Sequence, residues 1–125
     1  MKDGPKISDA EWQVMKVLWE KSPVNANHIV EKLTAETSWK PKTIRTLINR
    51  LATKKVIGFD KESRQYLYYP LLLEEECVKQ ETRSFLNRIR TGSLKPMLAA
   101  FLEEENLSKE EIDELKKILD KKGGK

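Results

Sequence analysis

Apolar positions along this chain recur in narrow stripes, and the period of those stripes changes once. From Ile7 to about Lys55 the spacing is three to four residues, which is that of helices with one buried face. The first helix opens at Ser8-Asp9-Ala10-Glu11, a capping box in which the Ser8 side chain and the Glu11 carboxylate satisfy each other's backbone N–H groups. Ile7 and Trp12 stand in staple positions around it. Trp12, Met15, Leu18 and Trp19 carry the apolar face, and Ser22-Pro23 ends the helix. Val24 is expected in a short strand. Asn25 caps a second helix running to about Thr34, with Ala26, Ile29 and Leu33 inward, and Ala35 to Ser38 form a turn. The third helix begins near Pro41, a residue favoured at the first helical position. Its Ile44, Leu47, Ile48 and Leu51 share one stripe. Lys42, Thr43, Arg45, Thr46, Asn49 and Arg50 fill the rest of its surface without a single acid.

After Lys55 the period shortens. Val56, Ile57 and Phe59 are β-branched or aromatic, Asp60 to Arg64 form a polar tip, and Gln65 to Tyr69 return as a strand that Pro70 stops. Three helices followed by a hairpin with a basic tip is the order of a winged helix-turn-helix, in which the third helix enters a groove and the hairpin lies along the backbone. From residue 71 the helical period returns. Glu74 to Arg90 carries Val78, Phe85, Leu86 and Ile89, and Thr91-Gly92 is a break. Leu94, Met97, Leu98, Phe101 and Leu102 form the next stripe. Ser108 to Glu111 is a second capping box, and Ile112, Leu115, Ile118 and Leu119 line a last helix. The expected organisation is a mainly α chain: a winged-helix domain over residues 1–72 and a helical dimerisation domain over 73–125. Short helices with one apolar face each need tertiary partners, so Phe85, Leu94, Met97, Leu98, Phe101, Leu102, Ile112, Leu115 and Leu119 are expected to meet a second copy.

Composition supports that arrangement. Of the 125 residues, 38% are hydrophobic and 35% charged, polar for a compact monomer, so an elongated protein or a dimer with a shared core is expected. There is no long apolar run, so membrane insertion is not expected. The N-terminus lacks the apolar stretch of a secretion signal, and Cys77 stands alone, which fits a reducing cytosol. Charge is unevenly placed. Residues 1–73 hold 13 Lys and Arg against 8 Asp and Glu, whereas 74–125 hold 11 against 12. Residues 40–64 alone hold 8 basic and 2 acidic side chains. A polyanion partner for the N-terminal half follows.

The third helix has the chemistry for that partner. Lys and Arg reach phosphates or guanine edges, Thr meets a thymine methyl, and Asn pairs with adenine. Lys42, Thr43, Arg45 and Thr46 are the candidates for base edges and nearby phosphates, while Lys40, Arg50, Lys61 and Arg64 are candidates for holding the backbone. Trp12, Trp19 and Trp39 are read as core anchors, and Tyr66, Tyr68 and Tyr69 as alternating between core and wing surface. His28 has no second histidine or cysteine pair beside it, so no metal site and no cofactor are expected. Cys77 lacks a base and is read as a partly buried structural thiol. No phosphate-binding glycine loop, dinucleotide fingerprint or zinc-protease motif is present, so catalysis is not expected.

These residues also carry a resemblance. Ile7 to Met15, Trp39 to Leu51, Tyr68-Tyr69-Pro70, Ser84 to Arg88 and Leu107 to Leu115 together resemble the penicillinase repressor family of the BlaI/MecI type, with Lys42 to Leu47 the most specific part. The resemblance implies a cytoplasmic homodimeric repressor on palindromic operators of β-lactamase or penicillin-binding-protein genes. It also implies a membrane-bound sensor with a zinc protease domain that triggers cleavage in the dimerisation region. In the family's antibiotic-responsive members the cut falls between Asn and Phe, and the matching pair here is Ala100-Phe101. A member answering another signal is the alternative this leaves open. The Cys-x-Cys pairs of the copper-responsive branch are missing. Independently of the resemblance, a winged helix used only for protein interaction remains the reading from another functional class.

Overall fold

The computed structural model describes residues 5–62, 64–88 and 94–123. Six helices and one hairpin follow in the order α1 (Asp9–Glu20), α2 (Ala26–Glu36), α3 (Pro41–Thr53), β1 (Ile57–Glu62), β2 (Gln65–Pro70), α4 (Glu74–Arg88), α5 (Leu94–Glu104) and α6 (Lys109–Gly123). The order matches the winged helix-turn-helix plus C-terminal helices expected from the pattern. Some boundaries move. α2 continues through Ala35 and Glu36, because the helix closes only where Thr37 caps it. The backbone N–H and Oγ1 of Thr37 each donate to the Leu33 carbonyl at 2.8 Å. The polar tip is shorter than expected, since Asp60 to Glu62 pair with Gln65 to Leu67 as strand. Ser63, the expected end of α4 at Ile89 and Arg90, and the Thr91-Gly92 break lie outside the described residues.

The chain divides into two compact units, Met1–Arg83 and Ser84–Lys125. The first holds the core. Val14, Met15 and Leu18 of α1, Ile29 and Leu33 of α2, and Ile44, Ile48 and Leu51 of α3 are sealed from solvent, with Val56 and Ile57 closing the cluster from the hairpin side. Burying side chains of this size is worth roughly 1.5–3 kcal/mol each, which secures α3 on its aliphatic underside. The first turns of α4 belong to this unit: Cys77 is buried in the same cluster, and the Trp19 indole donates to the Leu72 carbonyl at 2.9 Å. Trp12 and Trp19 meet edge-on with centroids 5.4 Å apart. Burial, with Glu76, Glu81 and Glu74 nearby, pushes the Cys77 thiol up, the direction opposite to that of an activated cysteine.

Two local features set the geometry around α3. Its C-terminal end is a Schellman turn: Lys55 N–H donates to Ala52 and Val56 N–H to Leu51, both at 3.0 Å, with Lys55 at φ 64. That turn delivers the chain into β1. β1 and β2 then pair antiparallel in the register Ile57↔Pro70 to Glu62↔Gln65. Val24 adds a bridge to Tyr68 on the far edge of β2 through bonds of 3.1 and 2.7 Å, tying the hairpin to the start of α2. Gly58 faces Tyr69 across the ladder, and a Cβ there would lie 2.8 Å from the ring, so glycine leaves room for Tyr69 to fold over the sheet.

In the second unit, neither α5 nor α6 buries a residue. Phe85, Leu94, Leu98, Phe101, Leu102, Ile112 and Leu119 are exposed, and Met97 and Leu115 are half-buried. The second capping box forms as expected, with Glu111 N–H donating to Ser108 Oγ at 3.1 Å and Ser108 N–H to Glu111 Oε1 at 2.9 Å. Ala100 and Phe101 lie inside α5, both exposed. Among the described residues, no helix is long and apolar enough to cross a membrane.

Candidate nucleic-acid interface

α3 presents one face inward and the remainder to solvent. Ile44, Leu47, Ile48 and Leu51 are buried, and Lys42, Thr43, Arg45, Thr46, Asn49 and Arg50 are exposed. The burial follows the stripe read in the sequence, because the helix is anchored to α1 and α2 along its whole aliphatic side. Lys40 stands at the N-cap position and no side chain caps the helix there, so among the described residues the Lys42 and Thr43 N–H groups stay open at its positive end. The Thr46 hydroxyl donates to the Lys42 carbonyl at 3.0 Å. That bond fixes the Thr46 rotamer and leaves the oxygen free to accept.

The wing adds to this face. Lys61 and Arg64 flank the hairpin tip and are exposed. Beneath them the aromatic residues divide: Tyr68 packs on the core, while Phe59 and Tyr66 are 48% and 47% exposed and meet edge-on at 5.1 Å. Burial raises the Tyr68 phenol, as does neighbouring Tyr66, and Arg45 acts in the opposite sense. Between α3, the first turn of α2 and the wing lies a cleft of about 240 Å³ lined by Asn25, Ala26, Asn27, Arg45, Gln65, Tyr66 and Tyr68. Arg45 Nη2 donates to Asn27 Oδ1 at 2.7 Å, and Asn25 Nδ2 donates to Gln65 Oε1 at 2.9 Å.

All eight residues selected from the sequence (Lys40, Lys42, Thr43, Arg45, Thr46, Arg50, Lys61 and Arg64) lie on the surface of the first unit. Among the described residues, none of the six cations in that set is paired with an acid. Lys54, counted with the basic stretch in the sequence, behaves differently. Its Nζ sits 2.6 Å from Glu11 Oε1 and 2.8 Å from the Lys6 carbonyl, so it closes the N-terminal cap of α1. Glu11 is 1% exposed. Burial alone would raise its carboxyl, but the bond from Lys54 and the bonds within the Ser8 box outweigh that and hold it below the usual glutamate range. The capping box was legible in the sequence; the ion pair across 43 residues was not. Asn27 and Gln65 were missed as well. The only signal for them was their place beside a cap and a strand start, which by itself does not point toward Arg45. Among the described residues no group of His, Cys, Asp and Glu is arranged to hold a metal ion.

A three-helix core with an exposed basic third helix, and beside it a hairpin that exposes Lys61 and Arg64 alongside Asp60 and Glu62, defines a winged helix-turn-helix protein. The penicillinase repressor family model matches residues 7–121, and the chain belongs to that family. It is 43% identical over 120 residues to the penicillinase repressor of Bacillus licheniformis, covering 96% of this chain and 94% of that one. It is 40% identical over 117 residues to the methicillin resistance regulatory protein MecI of Staphylococcus aureus strain N315, covering 94% and 95%. Among solved structures it is similar to the DNA-binding domain of the repressor BlaI, with a TM-score of 0.54 and 42% identity over 61% of this chain and 93% of that one. The monomeric form of Bacillus licheniformis BlaI in complex with the blaP half-operator matches with the same values.

Proposed function

We propose that this chain is a homodimeric transcriptional repressor acting in the cytoplasm on palindromic operator DNA. The observation that carries the reading is the acid-free exposed face of α3, flanked by the wing cations, in a member of the penicillinase repressor family. Lys42, Thr43, Arg45 and Thr46 address base edges and nearby phosphates, and Lys40, Arg50, Lys61 and Arg64 hold the backbone. A relative's monomer occupies half of an operator. Two copies joined by two-fold symmetry then place two α3 helices on half-sites separated by one or two DNA turns, roughly 34–36 Å per turn. The unburied apolar stripes of α5 and α6 supply the joining surface.

The curated relatives are named for penicillinase and methicillin-resistance regulation, which supports β-lactamase or penicillin-binding-protein genes as targets and a membrane-bound sensor protease as the upstream partner. Ala100 favours a second reading for the release step alone: a repressor of the same build that answers a signal other than a β-lactam. Incubating the full-length protein with sheared genomic fragments at moderate salt and sequencing the shifted material tests the DNA reading. Enrichment of one inverted-repeat motif is expected. A protein that shifts no fragment at any salt concentration is an interaction module, and the reading fails.

A further inference from the structure

Arg45 is the longest of the candidate base-reading side chains and is exposed, yet it is not free. Its Nη2 donates to Asn27 Oδ1 at 2.7 Å, across from α3 to the first turn of α2. The orientation of that amide follows from chemistry: guanidinium has only donors, so the amide oxygen must face it and the Asn27 NH2 group must face away. The helix turn that carries Asn27 is itself held. Two residues earlier, Asn25 Oδ1 accepts from His28 N–H at 2.8 Å and caps α2, which turns the Asn25 amide nitrogen onto Gln65 Oε1 of the wing at 2.9 Å. Val24, next to that cap, is bridged to Tyr68. The anchor for Arg45 is thus a helix turn fastened at two points to β2 of the wing, at Gln65 and at Tyr68.

We propose that Asn27 is a positioning residue that aims the Arg45 guanidinium from α2, so that α2 contributes to sequence choice through Arg45. An unrestrained arginine carries about 2 kcal/mol of rotamer entropy, much of which is lost when it docks on a base. A guanidinium already tethered at one nitrogen has lost part of that freedom beforehand and keeps its remaining N–H groups for a bidentate contact. The inference rests on the DNA-binding reading above. It adds a residue outside the recognition helix and assigns it no phosphate or base of its own.

The test is a double-mutant cycle on the full-length protein with Asn27→Ala, Arg45→Ala and both. The probes are a duplex selected from a random-sequence pool by the wild-type protein and a scrambled duplex of equal length. The readout is the ratio of the two dissociation constants at fixed salt, with thermal unfolding followed in parallel. Asn27→Ala is expected to lower the ratio by several-fold up to roughly tenfold, the scale of one base contact. Affinity for the scrambled duplex and the melting temperature should stay as in wild type, and the double variant should fall no further than Arg45→Ala alone. Asn27→Asp, which can still accept from Arg45, is expected to retain the wild-type ratio while weakening both duplexes alike through its charge. Additive losses in the cycle, or an unchanged ratio in Asn27→Ala, overturn the proposal while leaving the repressor reading intact. A wild-type protein that selects no sequence overturns both.

Discussion

Glu11 shows how a single side chain in this fold carries two duties. It completes the α1 cap and, almost fully buried, neutralises Lys54 at the end of α3. Replacing it with Gln is expected to cost about 1–2 kcal/mol in urea unfolding at pH 7, the range of a charged hydrogen bond with one partner still partly open to water. Because the folded carboxyl is held below its ordinary range, its contribution is complete above about pH 5 and fades as the pH falls through the folded value. The gap between wild type and Glu11→Gln should therefore narrow in acid; a gap that widens there contradicts the assignment. Arg45 belongs to the same scale. Arg45→Ala is expected to weaken binding to a selected duplex by roughly 1–3 kcal/mol and to relax sequence choice, measured by competition with single-base variants. An equal loss on every sequence would make it a phosphate contact.

The helices and the hairpin were legible wherever period and punctuation agreed. Ile44, Leu47, Ile48 and Leu51 lie inward as their spacing requires, and both capping boxes form with their expected partners. The reading failed where a local signal competed with a helix still able to propagate. Ala35 and Glu36 look like a turn beside Thr37-Ser38, yet α2 incorporates them because its carbonyls find their cap only at Thr37. What period cannot convey is the pairing of distant residues: Lys54 with Glu11, Asn27 with Arg45, and Gln65 with Asn25. The spacing likewise puts the end of α3 near Lys55, whereas the helix ends at Thr53 and closes through a left-handed residue that the period does not signal. Lys55 adopts φ 64, a region that costs a side-chain-bearing residue about 1–2 kcal/mol. Lys55→Gly removes that strain, offset in part by the greater freedom of glycine in the unfolded chain. A net gain of roughly 0.5–1 kcal/mol in unfolding free energy is expected, and a loss would mean that the Lys55 side chain supports the turn.

For the molecule as a whole, the account needs two copies. α5 and α6 leave Leu98, Phe101, Ile112 and Leu119 open to solvent, and clustered exposed apolar side chains mark interaction surfaces. Leu98→Asp or Phe101→Asp is expected to give monomers by multi-angle light scattering, with the melting of the first unit unchanged and tight binding to a full inverted repeat lost. A dimer that survives both changes places the interface elsewhere.

The claim on which the rest depends is that the α3 and wing cations grip the phosphates of a double helix. Fluorescence-anisotropy titration of a selected duplex across a salt series addresses it. The logarithm of the binding constant should fall linearly with the logarithm of salt concentration. Replacing Lys42, Arg50 and Lys61 together with Ala should flatten that line by roughly three, near one per phosphate released. Replacing Lys116, Lys117 and Lys121 of α6 should leave its slope as it was. A slope indifferent to the first set, or moved as far by the second, would contradict the account.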